Sequence, residues 1–171
     1  MLIYVDGTDL LEHLTGRKDR LVDPRNRDRS RENLARWLGR YCKHQGFRAA
    51  LVFDGAAPGE VLSPVEHRYG LRVVNAPAGR DARTEVAGAA NRSAEQEPTL
   101  VVTDDRRLMD DLARGKAKVV TCGRFVARVR KSIRAGDETL PDEPDEKFTG
   151  LTEDEVDFWL REFGGGGRDD R

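Results

Sequence analysis

The sequence lacks the residues that define several large classes of protein. It has only two cysteines, Cys42 and Cys122, which lie far apart, and its three histidines are scattered. This usage excludes a disulfide framework and a clustered zinc site, and it predicts free, buried thiols in a reducing cytoplasm. Long hydrophobic runs are also missing and 36% of the residues are charged, so neither a membrane span nor a signal peptide is predicted.

The charge that is present is unevenly distributed. The net charge is −1, yet residues 1–136 contain 26 Lys and Arg against 18 Asp and Glu, whereas residues 137–171 contain 4 against 13. A basic body followed by an acidic tail favours a polyanionic partner. The tail would then either compete for the same surface or turn away wrong partners.

Short apolar runs alternate with helical patterns along the body. Five short apolar and partly β-branched runs predict strands, at 2–5, 49–53, 71–74, 99–103 and 118–121. Continuous apolar runs are typical of strands buried on both faces of a parallel sheet. Helices are predicted at 30–45, 81–91, 105–114 and 123–134, the first capped by Ser30 and ended by Gly46. The alternation predicts an α/β fold with a central parallel sheet.

The chain is predicted to form one domain with appendages. The expected divisions are the domain itself at 1–135, an acidic, proline-containing linker at 136–150, an amphipathic helix at 151–163 and a disordered tail at 164–171. Thr152 and Glu155 have the spacing of a capping box. Trp159 and Phe163 lie on the apolar face that follows, so this helix is expected to dock on another surface.

Three of the predicted strands end on aspartate. Asp6 follows the first strand, Asp54 the second, and Asp104 and Asp105 the fourth. In an open α/β sheet the carboxyl ends of the strands share one edge, where ligands bind beside the point at which strand order reverses. If the first strand lies between the second and the fourth, the acids converge, and Mg²⁺ or Mn²⁺ would offset their repulsion. This arrangement suits in-line hydrolysis of a phosphodiester.

Each acid taken alone also has a plainer structural interpretation. Asp54 and Gly55 form a common turn pair, and Asp104 can cap the helix that begins at Asp105. The sequence excludes two other functions for the opening motif. The aspartyl-phosphate phosphatase motif DxDGT needs an acid where Tyr4 stands, and no GxxxxGK[ST] phosphate-binding loop occurs.

The motifs VDGTDLL, LVFDG and VVTDDRRL, in this order and spacing, resemble the NYN domain, a branch of the PIN-like nucleases, and specifically its YacP-like bacterial members. The resemblance covers residues 1–134, and GLTEDEVDFWLREF is similar to a tail seen on some YacP-like proteins. It implies a three-layer α/β/α fold and a divalent-metal-dependent ribonuclease.

The resemblance assigns site residues by motif. Asp6, Asp54 and Asp105 match the family's acids and are the expected catalytic metal ligands. Asp9 stands where the family has Asn, and Asp104 stands where it has Ser. Both departures add negative charge, and both residues are candidate additional ligands of the metal.

A third departure falls between the third and fourth strands. The family has an ADD- or AD-containing helix start there, whereas in this sequence Arg83 and Thr84 follow Ala82. Asp81 and Glu85, four residues apart on one helical face, are candidate supporting acids in their place. Asp81 is equally interpreted as a helix N-terminal acid favoured by the dipole. Arg83 alternatively indicates weakened or lost catalysis.

A basic segment completes the prediction. Residues 16–31 carry seven Lys and Arg against three Asp directly after the opening motif. We expect a phosphate-tracking loop at the mouth of the acidic site rather than a merely solvated loop. The candidate RNA-binding cations are Arg17, Lys18, Arg20, Arg25, Arg27 and Arg29.

The sequence therefore predicts a PIN-like, metal-dependent ribonuclease that acts on single-stranded or unpaired RNA. Two alternatives stay open. One is a catalytically weak RNA-binding module of the same fold, and the other is a protein-interaction domain that acts through its acidic tail.

Overall fold

The computed structural model describes residues 1–16, 24–55 and 63–137. Its elements, in chain order, are β1 (Leu2–Asp6), α1 (Gly7–Thr15), α2 (Pro24–Gln45), β2 (Arg48–Phe53), β3 (Val65–Arg68), β4 (Leu71–Asn75), α3 (Ala82–Ala94), β5 (Thr99–Val102), α4 (Arg106–Leu112), β6 (Lys118–Val120) and α5 (Cys122–Asp137). No helix within these ranges combines the length and the apolar character that crossing a bilayer requires. The predicted C-terminal helix, with Trp159 and Phe163, lies outside the described residues.

The strands form one six-stranded sheet in the order β3-β4-β2-β1-β5-β6. β1 pairs in parallel with β2 on one side and with β5 on the other, so strand order reverses at β1. The predicted α/β fold with a central, mostly parallel sheet is confirmed. The difference is β3, which pairs antiparallel with β4 at the edge of the sheet.

Helices cover both faces of the sheet and give three layers. Leu38 of α2 and Phe125 of α5 belong to the core on one face, which also includes α1. Val86 of α3 belongs to the core on the other face, which α4 completes. Successive residues of a strand point to opposite faces, so Val5 of β1 packs in the first core and its neighbour Tyr4 in the second.

Helix α1 was not predicted, although the opening motif contains its start signal. The Asp6 carboxylate accepts the backbone N–H of Asp9 at 3.0 Å and caps the helix. A side chain at position 7 would collide with the ring of Phe53, so Gly7 allows α1 to begin directly against β2. The helix ends at Gly16, whose φ of 64° suits glycine.

Helix α2 begins earlier than predicted, at Pro24 rather than after Ser30. Proline is well suited to the first helical turn because its fixed φ is helical and its missing N–H costs no hydrogen bond there. Residues 24–31 are therefore helical and not part of a loop. The predicted stop at Gly46 is confirmed, because its φ is 64° and the N–H of Phe47 returns to the carbonyl of Cys42 at 2.8 Å.

Candidate active site

The carboxyl ends of β1, β2 and β5 lie side by side. Asp6 is paired with Val52 of β2, and Val5 is paired with Val102 of β5. The strand arrangement that the sequence required for convergence of the acids is therefore present. It brings Asp6, Asp54, Asp104 and Asp105 to one edge of the sheet, called the carboxylate edge below.

Asp6 is the buried acid of this edge. Only 5% of the residue is exposed, and its carboxylate accepts the N–H of Asp9. Burial raises the pKa of Asp6 to about 8, and the nearby charges of Asp9 and then Asp54 add to the increase. Backbone N–H groups of Asp9 and Thr8 oppose the shift without cancelling it. Ionised Asp6 is thus unfavourable in this setting unless a positive charge compensates it.

Asp54 joins the end of β2 and the start of α1 to the start of α3. Its backbone N–H donates to Thr8 Oγ1 at 3.2 Å, and its Oδ1 accepts the N–H of Ala82 at 2.7 Å. Arg31 of α2 reaches the same place, because its guanidinium donates to the Asp54 carbonyl at 3.4 Å and lies 4.4 Å from the centre of the Phe53 ring. Arg31 closes the basic segment at 16–31 but was not among the predicted RNA-binding cations.

Asp9 fastens α1 to the end of β5. Its Oδ2 accepts the hydroxyl of Thr103 at 2.6 Å and the backbone N–H groups of Asp104 at 2.8 Å and Asp105 at 3.0 Å. Asn, which the NYN motif has at this position, also carries one side-chain oxygen that can accept hydrogen bonds. The Asp at this position therefore keeps the contact that an Asn would make.

Asp104 and Asp105 also bind helix starts. Asp105 caps α4, and its Oδ1 accepts two backbone N–H groups of the first turn at 2.7 and 3.3 Å. Asp104 Oδ1 accepts the N–H of Cys122 at the start of α5 at 2.9 Å, and its Oδ2 lies 3.5 Å from Nδ1 of His13. Burial first, and then Asp104, raise the pKa of the Cys122 thiol.

A carboxylate thus lies at the start of four helices along this edge, namely α1, α3, α4 and α5. Helix N-termini favour negative charge, which offsets part of the cost of placing the acids together. The structural and the metal-binding interpretations of these aspartates are therefore compatible. A carboxylate that accepts a backbone N–H group through one oxygen can still bind a cation through its second oxygen.

The donor set fits a hard divalent cation, because it consists of carboxylate oxygens around one buried acid whose pKa is raised. Within residues 1–16, 24–55 and 63–137, however, no three acidic, thiol or imidazole groups are arranged as ligands of one ion. One oxygen of each of Asp6, Asp54 and Asp105 instead accepts a backbone N–H group at a helix start.

The start of α3 carries Arg83 and Thr84 where the sequence resemblance implied acids. Asp81 caps the helix, accepting the N–H and the hydroxyl of Thr84 at 3.2 and 3.0 Å. The amide of Thr84 is the main cause of the lowered pKa of Asp81. Arg83 lies 3.6 Å from the carboxylate of Asp81 and 3.7 Å from that of Asp111. Glu85 is half-buried in the first turn.

The predicted RNA-binding cations are only partly described. Arg27 and Arg29 lie in the first turns of α2, and Arg27 is 3.7 Å from the carboxylate of its neighbour Asp28. Arg25 is in the same helix, but the structure describes only its backbone. The remaining three, Arg17, Lys18 and Arg20, fall outside the described residues.

The profile of the YacP-like NYN domain matches residues 3–157. The chain belongs to the YacP-like NYN family. Two crystal structures of Rae1 (YacP) from Bacillus subtilis share its fold. A single-site mutant aligns with a TM-score of 0.63 at 18% identity, over 85% of this chain and 87% of the other. A second structure aligns with a TM-score of 0.59 at 17% identity, over 81% and 78%. No curated protein matches the sequence significantly.

Membership of this NYN family implies a nuclease-type function related to RNA, and such nucleases generally depend on divalent metal ions. The resemblance identified in the three sequence motifs is thereby confirmed. The identity to the two Bacillus subtilis structures is low, so they establish the fold and not the roles of individual residues.

Proposed function

We propose that this protein is a divalent-metal-dependent ribonuclease that hydrolyses phosphodiester bonds of single-stranded or unpaired RNA at the carboxylate edge. The observation that carries the proposal is Asp6, which is buried at the end of β1 with its pKa raised to about 8 by burial, Asp9 and Asp54. A buried acid whose pKa is strongly perturbed is a candidate functional group, and a bound cation would favour its ionised form.

In this proposal Asp6, Asp54 and Asp105 hold Mg²⁺ or Mn²⁺, while Asp9 and Asp104 contribute further negative charge. When bound, such an ion lowers the pKa of a water molecule and offsets charge that develops on the phosphate. The protein's part is to keep the acids in place. Backbone N–H groups at the helix starts hold Oδ1 of Asp6, Asp54 and Asp105, which fixes their orientation before substrate binds.

The remaining predicted residues have supporting roles. Asp81 and Glu85 are supporting acids at the start of α3, beside the Ala82 amide that binds Asp54. The basic segment holds the phosphates of the strand, with binding expected to weaken as salt rises. Its members are Arg17, Lys18, Arg20, Arg25, Arg27 and Arg29.

The decisive experiment measures cleavage and binding of a labelled single-stranded RNA by the same proteins. With Mn²⁺, Asp6→Asn and Asp54→Asn are expected to lose cleavage by roughly 10²-fold or more, because metal positioning is worth several kcal/mol. RNA binding measured by anisotropy should persist in both. Asp110→Asn is the matched control, since it removes one exposed aspartate of α4. Cleavage by Asp6→Asn at the wild-type rate would overturn the proposal.

One observation favours an RNA-binding module with weak catalysis as the second candidate. Arg83 places a cation between Asp81 and Asp111 at the helix start where the resembling family has an acid. If the wild type binds RNA but cleaves none with Mg²⁺ or Mn²⁺, while Arg83→Asp cleaves, the module is the correct description. Wild-type cleavage in Mn²⁺ would exclude it.

A further inference from the structure

A second surface, remote from the carboxylate edge, has the chemistry of a strand-binding groove. It is a cavity of about 850 Å³ between the exposed face of α2 and the turn that joins β3 to β4. Its cations are Arg36, Arg40 and Lys43, and its aromatic side chains are Phe47 and Tyr69. We call this surface the α2 groove. None of its residues belongs to the basic segment at 16–31.

The charge of the α2 groove has one sign. Arg36, Arg40 and Lys43 are spaced so that they share one face of the helix, and all three are exposed. Among the described residues that line the cavity there is no carboxylate. Glu32 lies one turn away on the same face, where it pairs with Arg68 at 2.7 Å and more loosely with Arg36 at 4.0 Å. The excess of positive charge favours a polyanionic ligand.

The neighbouring cavity differs from the groove in the sign of its charges. It measures about 230 Å³ and lies nearer the carboxylate edge, beside Arg31. Its lining alternates in sign, because Asp28, Glu32 and Glu66 accompany its arginines. A chain of phosphates would be repelled there as much as attracted. The α2 groove is therefore the better candidate for holding a phosphate backbone.

An aromatic residue with an unfavourable backbone conformation lies at the rim of the groove. Tyr69 has a φ of 53°, which is uncommon for a residue other than glycine. With Gly70, whose φ is 77°, it forms the two-residue turn between β3 and β4. Such turns normally carry Asn-Gly or Asp-Gly. A bulky side chain kept at a strained position suggests a use for that side chain.

Contacts with α2 fix the side chain of Tyr69 at the rim of the groove. Its hydroxyl donates to Glu32 and accepts from Arg36 at 3.3 Å, and the guanidinium of Arg36 lies 5.5 Å from the ring centre. Gly39 lets the turn approach the helix, since a Cβ there would lie 2.5 Å from the carbonyl oxygen of Tyr69. The residue is nevertheless 44% exposed, so its ring can stack with a base.

We infer that the α2 groove binds single-stranded RNA at a distance from the cleaved bond, with cations along the phosphates and Tyr69 against a base. The identity of the strand as RNA rests on the proposed ribonuclease function. Arg31 contacts the carboxylate edge, and at 1.5 Å per residue the groove cations lie roughly 8 to 18 Å further along α2. One strand could therefore occupy both surfaces.

The test of the charges compares two triple variants with equal loss of charge. Arg36→Gln, Arg40→Gln and Lys43→Gln together remove the groove cations. Arg92→Gln, Arg114→Gln and Lys118→Gln together remove exposed cations from the part of the chain that contains α3, α4 and β6. Binding of labelled single-stranded RNA is measured in EDTA over a range of salt.

The groove triple variant should bind about tenfold more weakly at low salt, and the slope of log K against log salt should fall in magnitude by about 2. The control triple variant should retain both values within error. Equal effects in the two triple variants would overturn the inference. So would a groove triple variant that keeps its RNA affinity and loses affinity only for a labelled poly-glutamate peptide, because the ligand would then be an acidic protein segment.

The aromatic part is tested by a pair of substitutions at one position. Tyr69→Asn suits the positive φ of the turn and should leave the melting temperature about unchanged, yet RNA binding should weaken about fivefold or more through lost stacking. Tyr69→Phe keeps the ring and should bind as the wild type does. Unchanged binding in Tyr69→Asn would remove the stacking role from the inference.

These measurements separate the groove from the proposed function. They are made without metal, so they give a result even if the protein cleaves nothing. If it does cleave, the groove triple variant should raise KM for a long strand and leave kcat unchanged. A wild type that binds RNA through the groove but never cleaves would refute the proposed ribonuclease and leave the groove intact.

Discussion

The carboxylate edge and the α2 groove carry charges of opposite sign on side chains of different length and exposure. The edge uses short acids at the ends of buried strands, and backbone N–H groups hold them, as at Asp6, Asp54 and Asp105. The groove uses long cations on the exposed face of one helix. Bond cleavage needs reacting groups at fixed positions, whereas attraction of a phosphate chain tolerates mobile side chains. Each surface suits one of these two tasks.

The largest expected effect is a separation of the two tasks by mutation. Asp6→Asn should reduce cleavage of single-stranded RNA roughly 10²-fold or more while leaving affinity unchanged or slightly improved, since a repulsive charge is removed. The triple neutralisation of the groove should do the reverse. Single-turnover rates at saturating RNA, measured beside anisotropy titrations, give both values. A loss of affinity and rate together in both proteins would mean that the surfaces are not separate.

The next effect concerns how rigidly the edge is held. Asp9→Ala removes the acceptor of the Thr103 hydroxyl and of two backbone N–H groups, so the free energy of unfolding should fall by about 2 kcal/mol. Asp9→Asn keeps an acceptor oxygen and should cost clearly less. Urea denaturation of both variants in EDTA measures the difference. If the two substitutions cost the same, the charge of Asp9 matters and its hydrogen bonds do not.

How far the sequence predicts these two surfaces depends on how local their signals are. Strand ends on Asp6, Asp54 and Asp105 are visible as motifs, and the apolar runs locate β1, β2 and β5 within a residue. The contact of Asp9 with Thr103 joins residues 94 positions apart. No local pattern specifies such a side-chain pairing, so Asp9 was assigned to the metal alone.

The features that were not predicted from the sequence were missed for different reasons. Helix α1 carries a readable signal, since Asp6 is its cap and Asp9 its first-turn acid, yet both residues were predicted only as metal ligands. Strand β3 has no buried residue and no apolar alternation, so its sequence indicates nothing before the sheet forms. The groove cations resemble any solvated helix face. Only the approach of Tyr69 turns that face into a cavity.

The pH dependence of stability tests the electrostatic side of the comparison. The pKa of Asp6 is raised from an ordinary 3.8 to about 8 in the folded protein. Between these values the folded state holds a proton that the unfolded state has lost, so the free energy of unfolding falls as pH rises. The slope due to Asp6 is at most about 1.4 kcal/mol per pH unit and is absent from Asp6→Asn.

Urea denaturation of the wild type and Asp6→Asn from pH 4 to 8 in EDTA isolates this slope, because other groups titrate in both proteins. The wild type should lose its relative stability towards pH 8, and Mg²⁺ should restore part of it by binding the folded state. Parallel pH profiles would show that Asp6 ionises normally and would remove the observation on which the metal site depends. The groove variants serve as controls and should follow the wild type.

The smallest expected effect concerns the acidic tail, which should weaken RNA binding at the basic surfaces by competing for them. Changing Asp142, Glu143, Asp145 and Glu146 to their amides in the full chain removes four of the negative charges at 137–171. RNA affinity should then improve a few-fold at low salt and converge with the wild type as screening increases, since the Debye length shortens from about 30 Å at 0.01 M to about 8 Å at 0.15 M.

Combining these changes with the groove triple variant makes the comparison sharper. If the tail competes for the α2 groove, the improvement should vanish when the groove cations are neutral. An equal improvement in both backgrounds would place the competition at the basic segment instead, and no improvement in either would show that the tail does not act on RNA binding.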